Sequence, residues 1–207
     1  MPLEKTGENK SHFHRQENKM NIVLLQGSAR KKGNTARVLG WVEEELVSLG
    51  HDVESVYLAD KNLNGCLGCA RCKSCTDSVG CIQKDDVTEI LGKMVTARAV
   101  VFASPLYFWG VTAQLKAVID RTYSLYTRYH QPDHASLVEG QRQALLVTGG
   151  GQWDNNAAET FTAFSRLQKP HKSIHVGELF IGGCTTPADM DDSIQSRAKA
   201  FAGKVAG

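Results

Sequence analysis

Five of the six cysteines in this 207-residue chain, Cys66, Cys69, Cys72, Cys75 and Cys81, lie in one short run, and Cys184 stands alone. Thiols so crowded are soft ligands for a metal ion or a metal–sulfur cluster. Structural zinc commonly takes two cysteine pairs with a longer spacer, so that two loops close a tetrahedron. Here the cysteines step by three, as in the compact runs that wrap iron–sulfur cubes. A metal-free thiol switch is the third reading. A secreted disulfide scaffold would spread partner cysteines along the chain, and almost none lie elsewhere. The first 20 residues mix charges of both signs and hold no apolar stretch of a signal peptide. The expectation is reduced thiols in a cytoplasmic compartment.

A second chemistry sits upstream, in Gly27-Ser28-Ala29-Arg30-Lys31-Lys32-Gly33-Asn34-Thr35. The triphosphate loop needs Lys after its second Gly, and here Asn34 follows Gly33. The dinucleotide fingerprint needs a second Gly where Ala29 stands. What remains is a hydroxyl-rich, Arg-bearing turn feeding a helix N-terminus, where free amides and the helix dipole favour an anion. Ser28, Arg30, Asn34 and Thr35 can all donate to phosphate oxygens. With no lysine or magnesium ligand supplied for further phosphates, a single monoester fits best. An ordinary capped helix after an ordinary turn gives the same pattern.

Two further segments suit a flat ring. Ser104-Pro105-Leu106-Tyr107-Phe108-Trp109-Gly110 concentrates three aromatics that cannot all point into a core from one irregular loop. Thr148-Gly149-Gly150-Gly151-Gln152-Trp153 offers bare backbone. Stacking faces and main-chain donors together suit a planar heterocycle. With the anion turn they describe a mononucleotide site.

These segments need elements to place them. Residues 21–26 form a continuous apolar run, too short for a helix, and predict a buried strand. Val38, Val42 and Leu46 recur every four residues and predict a helix stopped by Gly50. Strands are predicted over 53–58, 99–103, 143–148 and 175–181. Helices are predicted from Asp85-Asp86 to about 96, and over about 111–123, 155–167 and 190–205. Continuous apolar strands alternating with amphipathic helices imply a parallel sheet covered on both faces. Five such units fit an α/β flavodoxin-like three-layer sandwich with a five-stranded parallel sheet, and fall short of a closed eight-unit barrel. In such sheets ligands bind at the carboxyl ends of the strands. Residues 1–20 are polar and aperiodic and are expected to form a flexible tail, with the solvated His12 and His14, before one domain over 21–207. At 42% hydrophobic and 22% charged residues, wholesale disorder is excluded. A net charge of +2 gives no electrostatic case for nucleic acid or an anionic membrane. No stretch approaches a membrane span.

The segments Gly27-Ser28-x-Arg30-x-x-Gly33-Asn34-Thr35 and Ser104-Pro105-Leu106-Tyr107-Phe108-Trp109-Gly110 together resemble the two signatures of the NAD(P)H-dependent FMN reductase-like flavoproteins. The likeness runs from about Asn21 to the last helix. It implies FMN, with phosphate on Ser28, Arg30, Asn34 and Thr35. The isoalloxazine would be held by Pro105–Gly110 and by Thr148, Gly149, Gly150 and Gly151. The pattern Cys69-x2-Cys72-x2-Cys75-x5-Cys81, followed by Asp85-Asp86, resembles the compact motif of the iron–sulfur flavoprotein subgroup. That implies a [4Fe–4S] cluster close to FMN. Cys66 is an extra thiol, and the set Cys66, Cys69, Cys72 and Cys81 is the alternative.

The resulting expectation is a flavin oxidoreductase or electron-transfer flavoprotein, exchanging single electrons between cluster and FMN. The flavin does the chemistry, so no catalytic side chain is assigned. NAD(P)H as donor follows from the resemblance alone; the acceptor would be a redox protein or a small molecule. A cluster-free FMN or quinone reductase, a flavodoxin-like carrier and a zinc module are the rivals. The segment 124–140 has room to project, and Arg121, Tyr123, Tyr126, Arg128 and Tyr129 are expected to meet a second subunit in a homodimer or homotetramer. Asp85 and Asp86 read as helix caps. Cys184 reads as a buried small hydrophobe. His130, His134 and His171 lie in polar stretches without evident partners.

Overall fold

A computed structural model describes residues 19–207. Residues 1–18, with His12 and His14, lie outside the described residues. Met20, the last residue of the expected tail, is tied to the sheet: its amide donates to His51 Nδ1, and the Asp52 amide donates to its carbonyl.

In chain order the elements are β1 (Asn21–Gln26), α1 (Asn34–Ser48), β2 (Asp52–Tyr57), α2 (Asp86–Thr96), β3 (Ala99–Pro105), α3 (Ala113–Arg121), β4 (Tyr126–Thr127), β5 (Ala135–Ser136), β6 (Arg142–Thr148), α4 (Ala158–His171), β7 (Ile174–Ile181) and α5 (Asp192–Ala206). Five strands form one parallel sheet in the order β2-β1-β3-β6-β7. The chain leaves β1 toward β2 and returns to β3 on the other side. That reversal opens a crevice at the carboxyl ends of β1 and β3.

The run Ile22–Leu25 is apolar throughout because both its faces are covered. Val23 and Leu25 join the core under α2, α3 and α4, while Ile22 and Leu24 join the core under α1 and α5. Strand period two thus sorts one continuous apolar run into two separate cores. The helical period is met in the same way: Val38, Leu39, Val42 and Leu46 form the buried stripe of α1. Gly50, at φ 95°, turns the chain out of that helix. Among the described residues no helix is long and apolar enough to cross a membrane.

Three expectations are corrected. Helix α4 starts later and runs through Pro170 to His171. A proline in the last turn removes little ladder, and left-handed Lys172 (φ 51°) then closes the helix. The segment 124–140 does not simply project. Strands β4 and β5 pair antiparallel, and Leu125, Tyr126 and Val138 are buried in the core. Nor can Arg121 and Tyr126 meet a second subunit, because they are 1% and 6% exposed.

Candidate flavin and cysteine sites

Strand β1 delivers the chain to Gly27, whose amide donates to the Ala103 carbonyl at 2.7 Å. Thr112 Oγ1 donates to the Gly27 carbonyl at 2.8 Å. A Cβ on Gly27 would stand 2.9 Å from Leu115 Cβ and 3.0 Å from the Ala103 oxygen, so only glycine fits. The turn then folds on itself. The Arg30 amide donates to Ser28 Oγ at 3.2 Å, and the Gly33 amide to the Arg30 carbonyl at 3.1 Å. Gly33 stands at the N-cap of α1 with no capping side chain. The amides of Asn34, Thr35 and Ala36 donate to no backbone carbonyl. Three free donors at a helix N-terminus, beside the exposed Arg30, form a candidate anion seat.

The side chains of Asn34 and Thr35, read in the sequence as phosphate donors, are engaged within the fold. Thr35 is 1% exposed and its hydroxyl meets Thr148 Oγ1 at 2.7 Å. Asn34 Nδ2 donates to the Cys184 carbonyl at 3.3 Å, leaving Oδ1 buried without a partner. Both residues offer the seat their backbone amides. Their side chains tie the first loop to the ends of β6 and β7, and the lone acceptor Asn34 Oδ1 calls for a hydroxyl donor.

Strand β3 ends in Pro105, and the Leu106 amide donates to the Thr148 carbonyl at 2.8 Å. Tyr107 and Gly110 then exchange backbone hydrogen bonds of 2.9 and 3.0 Å around Phe108 and Trp109. Both central residues are left-handed, with φ 46° and 60°. Asn-Gly normally fills such a turn, and each bulky residue there costs about 1–2 kcal/mol. The strain presents Tyr107, Phe108 and Trp109 to solvent at 53%, 93% and 56% exposure. Thr160 Oγ1 holds the turn through the Trp109 carbonyl at 2.6 Å.

The third loop closes the floor. Gly149 sits where a Cβ would be 3.3 Å from Leu106 Cβ, while Gly150 has open space. The Gly149 amide donates to the Ile181 carbonyl, and the Cys184 amide donates back to the Gly149 carbonyl. Cys184 is buried, as expected, but its backbone braces both Asn34 and Gly149, a role without a local sequence signal. The anion turn, the aromatic turn and the glycine turn thus meet on one sheet edge.

The cysteine loop is built differently. It leaves Leu63, makes a short 3-10 turn at Arg71–Ser74 and returns at Asp85. All six cysteines are free. Among the described residues, no three Cys, His, Asp or Glu side chains converge as a ready metal site, so Cys69, Cys72, Cys75 and Cys81 are not assembled as a set. Burial pushes the Cys72 thiol up and the Lys73 ammonium opposes this, while nearby Cys81 and Cys66 push it further up. Cys75 is packed on Gly80, where a Cβ would come within 2.7 Å of its sulfur. The donor chemistry suits a soft metal–sulfur group: five unpaired thiols on one loop.

That loop is docked at its middle and at both ends. Lys73 donates to the carbonyls of Tyr123 and Tyr126. Its ammonium stands 3.7 Å from the Tyr123 ring centre, with Tyr126 and Tyr129 at 5.5 and 5.4 Å. Asp85 occupies the N-cap position of α2 but makes no cap hydrogen bond. It pairs instead with Arg121, both side chains 1% exposed. Burial disfavours its charge, yet Arg121 and Asn64 overcome that and hold the carboxyl at about 2. Lys73 had no signal in the chain, and Arg121 and the three tyrosines read as a subunit contact, because their partners in this docking lie far away in sequence.

A family model described as NADPH-dependent FMN reductase matches residues 20–169. An iron-sulfur flavoprotein of Archaeoglobus fulgidus is 29% identical over 187 residues, covering 90% of this chain and 79% of that one. An iron-sulfur flavoprotein of Methanosarcina thermophila is 29% identical over 174 residues, 83% of this chain and 86% of that one. The solved FMN-dependent NADH-azoreductase of Bacillus anthracis, in complex with FMN, superposes with a TM-score of 0.67 at 13% identity over 90% of this chain and 100% of that one. That likeness shows the fold. The chain, a flavin-dependent oxidoreductase, therefore belongs to the NADPH-dependent FMN reductase family.

Proposed function

We propose that the sheet edge holds FMN and that the cysteine loop holds a [4Fe–4S] cluster, so that electrons pass singly between them. The observation that carries the flavin part is the free-amide seat at Asn34–Ala36, on one edge with the strained aromatic turn and the open glycine turn. Ser28 and Arg30 and the amides of Asn34 and Thr35 would hold the phosphate. Asn34 Oδ1 would accept from a ribityl hydroxyl. Residues Pro105–Gly110 and Thr148–Gly151 would hold the ring. When bound, the flavin supplies two-electron and one-electron chemistry, so this chain's part is to bind, orient and exclude water. Arg30→Ala is expected to weaken FMN binding by about 1.5–3 kcal/mol, a charge-assisted bond to phosphate. Equilibrium dialysis of the apoprotein checks this, and an unchanged Kd removes Arg30 from the seat.

The cluster part rests on donor chemistry and on the names of the two iron–sulfur flavoprotein relatives. The spacing selects Cys69, Cys72, Cys75 and Cys81. The alternative set takes Cys66 in place of Cys75, whose sulfur is packed against Gly80. Anaerobic purification with iron, sulfide and FMN assays tests the reading. Cys66→Ser is expected to lose the iron and Cys75→Ser to keep it; the reverse restores the set chosen by spacing. A protein with FMN but no iron in any form is the cluster-free FMN or quinone reductase.

Electron donor and acceptor follow as proposals of the same kind: NAD(P)H on one side, a redox protein or small acceptor on the other, in a reducing compartment. We place the subunit contact of a homodimer or homotetramer at the aromatic turn. There Phe108 and Trp109 border an apolar groove lined by Val111, Ile119, Phe164 and Leu167. Sedimentation should show more than one subunit, and Phe108→Ser should shift the population toward monomer. A monomeric wild type rejects the contact.

A further inference from the structure

Arg121 stands at the end of α3, far in sequence from the cysteine loop, yet it binds both ends of that loop. Its Nη1 donates to the Asn64 carbonyl at 3.1 Å and to Asp85 Oδ2 at 2.9 Å, and its Nη2 donates to Asp85 Oδ1 at 3.0 Å. The Asn64 amide and side chain donate to the same Asp85 oxygen at 3.0 and 3.1 Å. Asn64 precedes Cys66 by two positions and Asp85 follows Cys81 by four. One buried cation therefore draws the two stems of the loop together at Asn64 and Asp85.

The third nitrogen of the guanidinium is unused. Arg121 Nε is buried with no hydrogen-bond partner, and the Cys81 thiol lies beside the same guanidinium. A buried N–H left unpaired costs about 1–3 kcal/mol, and natural structures rarely leave one. The neighbour that suits it is sulfur carrying negative charge, as a thiolate or within a cluster.

We infer that Arg121 is the positioning residue of the cysteine centre, closing the loop through Asn64 and Asp85 and offering Nε–H to the Cys81 sulfur. The closing function stands on the hydrogen bonds alone. The sulfur-tuning function rests on the cluster reading above. A donor and a positive charge beside the sulfur stabilise the more negative, reduced state, so they raise its reduction potential.

The test uses Arg121→Lys in the full chain, purified anaerobically. Lysine keeps the charge but not the fork that holds two partners at once. Hydrogen exchange should rise at least tenfold over residues 62–68 and 81–86, while β1, β3 and β6 and the FMN stoichiometry stay as in the wild type. Unchanged exchange in the loop overturns the inference. So does an equal rise across the sheet, which would make Arg121 a general core residue. In iron-loaded protein the oxidised-to-reduced ratio of the iron chromophore at a fixed potential should shift tenfold toward oxidised. That equals roughly 59 mV for a one-electron couple. The FMN transition is the internal reference and should not move. An unmoved iron potential removes the sulfur contact. If the lysine variant does not fold, Arg121→Met with Asp85→Leu removes both buried charges together and carries the same measurements. A wild type without iron or sulfide defeats the cluster reading, and the exchange experiment still decides the closing function.

Discussion

Asp85→Ala is expected to lose about 3–5 kcal/mol of folding stability, because it strands a buried guanidinium without its counter-charge. Both side chains are 1% exposed, and the carboxylate makes a two-pronged pair with Arg121 while accepting from Asn64. Urea melts of the variant, with FMN at the same saturation as in the wild type, measure the loss. The surface pair Lys116–Asp120 is the control, with side chains 58% and 44% exposed. Asp120→Ala should stay within about 0.5 kcal/mol. A loss below about 1 kcal/mol for Asp85→Ala would show that water reaches the pair. The same pair has a pH signature. Its carboxyl sits at about 2, below the ordinary 3.8, so its contribution is present above pH 3.8 and is lost as pH falls through 2.

Acid should also destabilise the protein in a milder and separate window, through His171. This histidine is 0% exposed, at the end of α4. Its Nδ1 meets Gln143 Oε1 at 3.0 Å. Gln143 donates its own amide to Gln141, so its oxygen can only accept, and Nδ1 carries the hydrogen. Nε2 is buried with no partner, and the Tyr126 ring lies 5.5 Å away, centre to centre. Protonating Nε2 would bury a charge with nothing to receive its hydrogen, so burial holds the group down at about 4. The unfolded chain takes up the proton below pH 6.5 and the folded chain does not until about 4. Stability is therefore full above pH 6.5, falls between 6.5 and 4, and levels off below 4. The total loss is roughly 3 kcal/mol. Stability measured across that range checks it. His171→Gln should flatten the slope, and a slope that persists in the variant would assign it to another group.

The sheet was readable from the chain because strand and helix periods are local. Ile22–Leu25 is apolar whichever neighbours it meets, and the stripe Val38, Val42, Leu46 needs only its own helix. The loops at the strand ends were readable for the same reason: their glycines, hydroxyls and aromatics announce turns and donors within a few residues. The roles inside those loops were less so. Thr35 and Asn34 read as phosphate donors through their side chains, and the fold spends those side chains on Thr148 and Cys184, 113 and 150 residues away.

The chain alone therefore determined an alternating, doubly covered parallel sheet, a glycine- and hydroxyl-bearing turn into the first helix, and a dense run of thiols. Tertiary structure alone decided what seats those thiols. Asp85 reads locally as a cap, His171 as part of a polar stretch, and Arg121 and Tyr126 as surface. Each becomes buried only when strand order brings α3, the β4–β5 hairpin and the cysteine loop together. Periodicity reports which face of an element avoids water. It does not report which distant charge or ring that face will find, because pairing depends on where crossovers place elements that share no local signal.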